Sequence, residues 1–471
     1  MHPDKPYGMK HFFKPILVLL VGWCPLALQA QQLHAPTLSE LVDSALVKDH
    51  ALANKFLEIE SSRIDKKKLS EVYLPTAELS GKYAFLANGV NVGLPATSLF
   101  NLINVPQINS GITSSANLFK SDLSVASVLY AGGKVSALKN AVDAKTKAQI
   151  ALLEKDRQQI ISEIAKSYDQ LALLRQVKLV LDKSRMRYEA NKKTADKALN
   201  YGLITKYEHQ KVEVAQSTLA SKIQEYEGKR NLLLHQLETL TGIGFERLEK
   251  IENELLPIQP PNPGNTIENR PELIALSAAI DAHNFQVKAA QTWWKPKVQL
   301  GASLGYLNLF DVDMKGKHDL PLVGGRFSSH TNKIEVVPNF TVGVGFKWDL
   351  FDGNKGKREV QQARLEVKIA ENEKAEAEEK VKLNLIKTQM DYNNSNAELI
   401  VKQKQTKMAE NALSQAAKEF KTGLIKATDL IGAENDYQSA ILDYLQTVFN
   451  QRRNAIELLK ATGSLNQSTI Q

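Results

Sequence analysis

Nine histidines, one cysteine and a single Gly-Gly-Lys run are the residues from which this chain could build a reactive site. None falls at a working spacing. The histidines show no HExxH pattern and no paired ligand spacing, so a metal centre is not expected. Ala131-Gly132-Gly133-Lys134 lacks the upstream Gly and the following Ser/Thr of a phosphate-binding loop, and reads as a turn into a helix. Gly301-Ala302-Ser303-Leu304-Gly305 has the Gly-x-Ser-x-Gly spelling, but it lies inside a period-two strand pattern rather than at a strand-to-helix turn, so no nucleophile elbow is expected. One charged side chain remains to be explained, Asp429. It follows Gly423 at the start of a helical stretch, where a carboxylate offsets the helix dipole. No catalysis and no cofactor are expected.

The first thirty residues carry an address. Lys10 and Lys14 precede the apolar run 16–21, and small or neutral residues follow to Ala30. That order is a secretory signal peptide (1–30), with Met9-Lys10-His11 as a plausible true start. Cys24 follows Trp23, which is too bulky for lipoprotein processing. Cleavage after Ala30 removes Lys5, Lys10, Lys14 and Asp4, so the net charge falls from +8 to +6 and no cysteine remains for a disulfide. Lys and Glu are interspersed, as in 371–382, which is a solvated helix face and excludes a nucleic-acid partner. No later apolar run approaches the roughly 18 residues of a membrane helix.

The remaining length is organised by a duplication. Gly202-Leu203-Ile204 recurs as Gly423-Leu424-Ile425, an offset of 221 residues (423 − 202). The same offset links Pro75 to Pro296, Gly132 to Gly353, and Leu240-Thr241-Gly242 to Ala461-Thr462-Gly463. Landmarks in one gapless register mean two copies of one unit. Each unit reads helix, strand, strand, long helix, turn, helix. The first repeat spans 31–243, with strands at about 73–88 and 110–130 and helical arms 133–201 and 203–242. A Pro-rich linker covers 244–270. The second repeat spans 271–463, with strands at about 296–308 and 337–351 and arms 354–422 and 424–462; 464–471 is a tail. Thr37-Leu38-Ser39-Glu40 is a capping box expected to open one helix to about Leu69. In the first arm Ile150, Leu153, Ile160, Ile164, Leu171, Leu174 and Leu181 fall near the 3.5-residue spacing of a coiled-coil seam. Seventy helical residues make an arm of roughly 100 Å.

The strands alternate with period two. In the second repeat Val298, Leu300, Ala302, Leu304 and Tyr306 form one face, as do Phe340, Val342, Val344, Phe346, Trp348 and Leu350. Strands of about ten residues, apolar on one face, with Trp293, Trp294, Trp348 and Phe351 at their ends, fit a transmembrane β-barrel in an exported protein. Four strands cannot close a barrel, and lipid tolerates no open edge. The chain is therefore expected to oligomerise. Two copies give eight strands around a filled interior, and three give twelve around a conduit.

With its capping box near Leu38, Arg270-Pro271-Glu272-Leu273, the glycines Gly132-Gly133 and Gly353, and the tips Gly202-Leu203 and Gly423-Leu424, the mature chain resembles the TolC-type outer-membrane efflux proteins. The resemblance implies a mainly α protein with membrane β: a homotrimer whose twelve-stranded β-barrel continues into a long periplasmic α-helical barrel. It implies a passive exit duct of a tripartite efflux or type I secretion system, set in the cell outer membrane. Its partners would be outer-membrane lipid, a periplasmic membrane-fusion adaptor and an inner-membrane transporter. The adaptor would dock on the tips Gly202, Leu203, Gly423, Leu424 and Ile425. Asp429 would line the periplasmic constriction, three copies making a cation-favouring ring. The first tip has Tyr207 and Glu208 where the second has Thr428 and Asp429, and the family's second acidic position falls on Gly432, so this gate would be built differently. The alternatives are a structural periplasmic coiled-coil adaptor, or a surface-exposed binding protein using the loop 308–337.

Overall fold

The computed structural model describes residues 34–99, 103–105, 108–260, 267–319 and 325–470. The expected signal peptide, with Cys24, lies outside them. The first repeat contains α1 (Leu38–Lys48), α2 (His50–Glu71), β1 (Thr76–Leu94), β2 (Thr97–Leu99), β3 (Ile103–Val105), β4 (Ile108–Tyr130), α3 (Lys134–Asn200) and α4 (Lys206–Thr241). After α5 (Phe245–Leu248) the second repeat contains α6 (Pro271–Ala290), β5 (Lys297–Asp319), β6 (Arg326–Lys347), α7 (Lys355–Lys421) and α8 (Ala427–Ala461). A 3-10 turn (Gln467–Thr469) follows.

The 221-residue offset holds to the residue. The arms α3 and α7 are both 67 residues long, about 100 Å each. At the same offset, Gly132 and Gly353 enter them with φ of 67° and 70°, and Gly202 and Gly423 leave them at 69° and 75°. Only glycine takes that left-handed region without strain, which is why these positions punctuate the arms.

The opening helix differs from the single element expected to Leu69. It breaks at Asp49, whose extended ψ of 113° ends α1 while its carboxylate accepts the Leu52 N–H at 2.7 Å to start α2. An Asx cap supplied in mid-run competes with helix propagation, and here it wins. Thr37 caps α1 as expected, its Oγ1 taking the Glu40 N–H at 3.2 Å.

The four long strands form one antiparallel sheet in the order β1-β4-β5-β6, leaving β1 and β6 as open edges. Their lengths correct the sequence reading: β1 runs to Leu94 rather than about 88, β5 to Asp319 rather than about 308, and β6 starts at Arg326 rather than about 337. Much of the expected loop 308–337 is therefore ladder. Apolar Phe310, Val312, Met314, Ile334 and Val336 persist there, but the polar run 328–333 and a left-handed Asp311 (φ 53°) interrupt the alternation that marks a half-buried strand, while backbone pairing continues. Polar cross-strand contacts carry the extension, including Tyr306 Oη donating to Glu335 Oε1 at 2.6 Å and His330 Nδ1 against Asp313 Oδ1 at 2.8 Å. Register shifts at 115/117 and 305/307 mark where the extension departs from the lower sheet.

Below those shifts the pairing sorts the sheet by polarity. Leu79, Leu123, Leu304 and Phe340 stand side by side across all four strands, and Ala77, Val125, Ala302 and Val342 do the same two residues away. The intervening row is Glu78, Ser124, Ser303 and Thr341. One face is thus a continuous apolar band, and its members are exposed in the single chain, with Leu79 at 74% and Phe340 at 66%. A patch of this extent calls for a covering partner.

The packed core lies along the arms. Leu41, Val42, Leu234, Leu237, Leu248, Ile456 and Leu459 close on Ile164, Leu171, Leu174 and Leu181 of α3. These four are members of the expected seam. Ile150, also expected there, is exposed. Toward the sheet, α3 meets α6 through buried alanines, among them Ala141, Ala144, Ala278 and Ala282. Small residues let neighbouring helices approach closely, so that half of the arm needs no leucine seam.

Candidate functional site: the tips of the arms

Both arms turn back through the same local chemistry. The Leu203 N–H reaches the Ala198 carbonyl at 2.8 Å and the Gly202 N–H reaches Leu199 at 3.0 Å. At the second tip Leu424 reaches Glu419 at 2.9 Å and Gly423 reaches Phe420 at 3.1 Å. This paired closure is a Schellman motif, which satisfies the last helix carbonyls and requires the left-handed glycine. The return helices then differ at their caps. Thr205 and Glu208 form a reciprocal capping box, with contacts of 3.2 and 3.0 Å. At the other tip the cap is Lys426, whose ammonium has no lone pair to offer, so only the Asp429 carboxylate acts, accepting the Lys426 N–H at 3.1 Å.

Asp429 is exposed at the first turn of α8, and Glu208 is half-buried at the equivalent place in α4. Within one chain both serve as helix-terminus carboxylates. Leu203 and Leu424 are each 76% exposed, whereas Ile425 is half-buried. The two tips are held together by buried Ala195, Val212 and Ala427, with Ile204, Phe420 and Ile431 packed against them. The exposed leucines therefore project from a joined platform.

A polar seam above the tips was not singled out from sequence. Glu434 on α8 is 1% exposed and accepts from Arg187 Nε at 2.7 Å, Arg187 Nη2 at 2.6 Å and Ser184 Oγ at 2.9 Å, all from α3. The Arg187 guanidinium also lies 5.5 Å over the Tyr437 ring. Next to it Tyr188 donates to Asn435 Oδ1 at 3.0 Å; burial first, then the neighbouring Glu434 charge, pushes its phenol up to about 12. The duplication hides this seam, because the 221-residue offset pairs Arg187 with Met408 and Glu434 with Glu213. The only sequence signal was an arginine and a glutamate among many.

A sheet with a bilayer-wide apolar face, standing on two arms of about 100 Å, defines an outer-membrane channel fold. Residues 262–464, which take in the second repeat, match the model of the outer membrane efflux protein family. Solved structures share the fold over nearly the whole chain. The outer-membrane channel OprN matches with a TM-score of 0.69 at 17% identity, over 91% of this chain and 90% of that one. The Campylobacter jejuni CmeC outer membrane channel matches at 0.68 and 18% identity, over 92% and 86%. The open state of the Neisseria gonorrhoeae MtrE outer membrane channel matches at 0.66 and 16% identity, over 91% and 89%. A sequence search of curated proteins found no match.

Proposed function

We propose that three copies of this chain form the passive exit duct of a tripartite export system. Cargo would reach it from an inner-membrane transporter through a periplasmic adaptor, and the chain would catalyse nothing itself. One observation carries the reading: a four-stranded sheet with two open edges and an unbroken apolar face. Lipid leaves no backbone edge unpaired, so β6 of one copy pairs with β1 of the next, and three copies close twelve strands around a conduit. Outer-membrane fractionation followed by single-channel conductance in a planar bilayer tests this. A monomer without conductance would overturn it.

The tips are the docking platform for the adaptor. Exposed Leu203 and Leu424 have no core to join and suit a helical hairpin laid against them. Gly423→Val puts a β-branched residue at φ 75°, at a cost of at least about 1–2 kcal/mol, confined to the turn. Trimers of this variant should form normally and lose adaptor in pull-down. Undiminished capture would count against the platform.

Asp429 is the constriction charge, three carboxylates lying around the axis. Asp429→Asn should lower the cation-to-anion permeability ratio in a salt gradient and weaken block by trivalent cations. The effect should be largest at low salt, since the Debye length is about 30 Å at 0.01 M and about 3 Å at 1 M. Glu208→Gln is the control, because its carboxylate is committed to the Thr205 box. An unchanged ratio in Asp429→Asn would reduce Asp429 to a helix cap.

A further inference from the structure

Where the second repeat passes from sheet to helices, a cavity of about 670 Å³ opens between α6 and α7. Lys288 and Lys295 line it from one side, Lys357 and Arg364 from the other, and Trp293 and Trp294 form its rim. No acid lines it, and among the described residues none of the four cations has an ion-pair partner. Asp352, just before α7, caps that helix, its Oδ2 taking the Gly356 N–H at 2.7 Å. Four unpaired cations around one cavity repel each other, an arrangement that an anion would relieve.

The first repeat provides an internal contrast. At the 221-residue offset the four cations become Lys67, Leu74, Ser136 and Asp143, and Asp143 is paired with Lys66 at 2.7 Å. The shared architecture therefore does not require the charge cluster. Its position points to the ligand. Trp348 continues the parity of Val344 and Phe346, the apolar face, and its Nε1 donates to the Trp294 carbonyl at 2.8 Å. The cavity rim thus adjoins the face that meets lipid, at the depth where tryptophans favour the membrane interface.

We propose that this cavity binds the phosphate headgroup of an anionic phospholipid in the periplasmic leaflet. Arg364 grips the phosphate oxygens bidentately, the three lysines supply charge, and the tryptophans cover the start of the acyl chains. This rests on the barrel reading, which outer-membrane fractionation checks separately.

The test is native mass spectrometry of the purified assembly after equilibration with equal amounts of phosphatidylglycerol and phosphatidylethanolamine. The wild type should retain phosphatidylglycerol in preference. Each cation removed near a membrane surface should reduce retention about fivefold, so Lys357→Gln/Arg364→Gln should lose about 25-fold. Should that pair fail to assemble, Lys288→Gln alone should lose about fivefold by the same arithmetic. Lys67→Gln, the first-repeat counterpart of the Lys288 variant, should retain lipid like the wild type. Equal retention of both lipids by a normally fractionating wild type overturns the site and leaves the barrel intact. A tryptophan emission change with inorganic phosphate, without preference between the lipids, assigns a soluble anion and also overturns it. So does a shift of reversal potential in the double variant with lipid retention unchanged, since the cavity would then open to the duct.

Discussion

Val344→Arg should abolish assembly in the outer membrane, while Gly343→Ser, one residue away, should leave it intact. On β6 the apolar positions Phe340, Val342, Val344 and Phe346 are continued in parity by Trp348 just past the strand's end, a span of nine residues, matching what a tilted strand needs to cross a bilayer. Val344 is the middle of that span. It pairs with Leu300 and is 65% exposed in the single chain, so nothing protein-made covers it. Arginine at the midplane costs about 2–4 kcal/mol per strand. Three copies at independent places around the barrel raise that to about 6–12 kcal/mol per trimer, comparable to the stability of many whole domains. Gly343 pairs with Gly301 on the opposite face, and a side chain added at either meets nothing within 4 Å. A hydroxymethyl there projects into open space. Heat-modifiable migration of the assembled species and fractionation read out both variants. Equal insertion of the two would mean that the alternation does not sort lipid from lumen.

The arms were legible because their ends are marked by a residue with a conformational monopoly. A left-handed turn past a helix excludes nearly everything but glycine, so Gly132, Gly202, Gly353 and Gly423 announce themselves at a constant offset. The membrane portion of the strands was legible through its period of two. The upper strands were not, because the polar run 328–333 and the left-handed Asp311 interrupt the alternation, while cross-strand contacts such as Asp313–His330 and Tyr306–Glu335 hold the ladder. The break at Asp49 was missed for a related reason: a capping carboxylate inside a helical pattern looks like any other polar position until its ψ is known. The platform leucines at the tips could be read, since apolar residues beside a turn glycine have no local use. The seam at Glu434 could not, because it pairs residues 247 apart and has no counterpart in the other repeat.

That seam has the second large expected effect. Arg187→Met should destabilise the α3–α8 contact by about 3 kcal/mol, the lower end of the range for removing one partner of a buried pair, because Arg187 itself is a third exposed. What remains is a carboxylate at 1% exposure with only the Ser184 hydroxyl, at 2.9 Å, to hold it. Adding Glu434→Gln to that variant removes the stranded charge and should recover most of the loss. Glu434→Gln alone should be mild, as the amide oxygen can still accept from Arg187 or Ser184. The double-mutant cycle should therefore give a coupling energy of about 2–3 kcal/mol. The seam joins the first arm to the second return helix above the tips, so loosening it should also raise single-channel conductance at low voltage. Hydrogen exchange over 180–190 and 430–440 should quicken in Arg187→Met and slow again in the double variant. If both variants exchange alike, the Arg187–Glu434 pair is incidental, and the Tyr188–Asn435 bond and the apolar contacts around Ile431 hold the arms together without it.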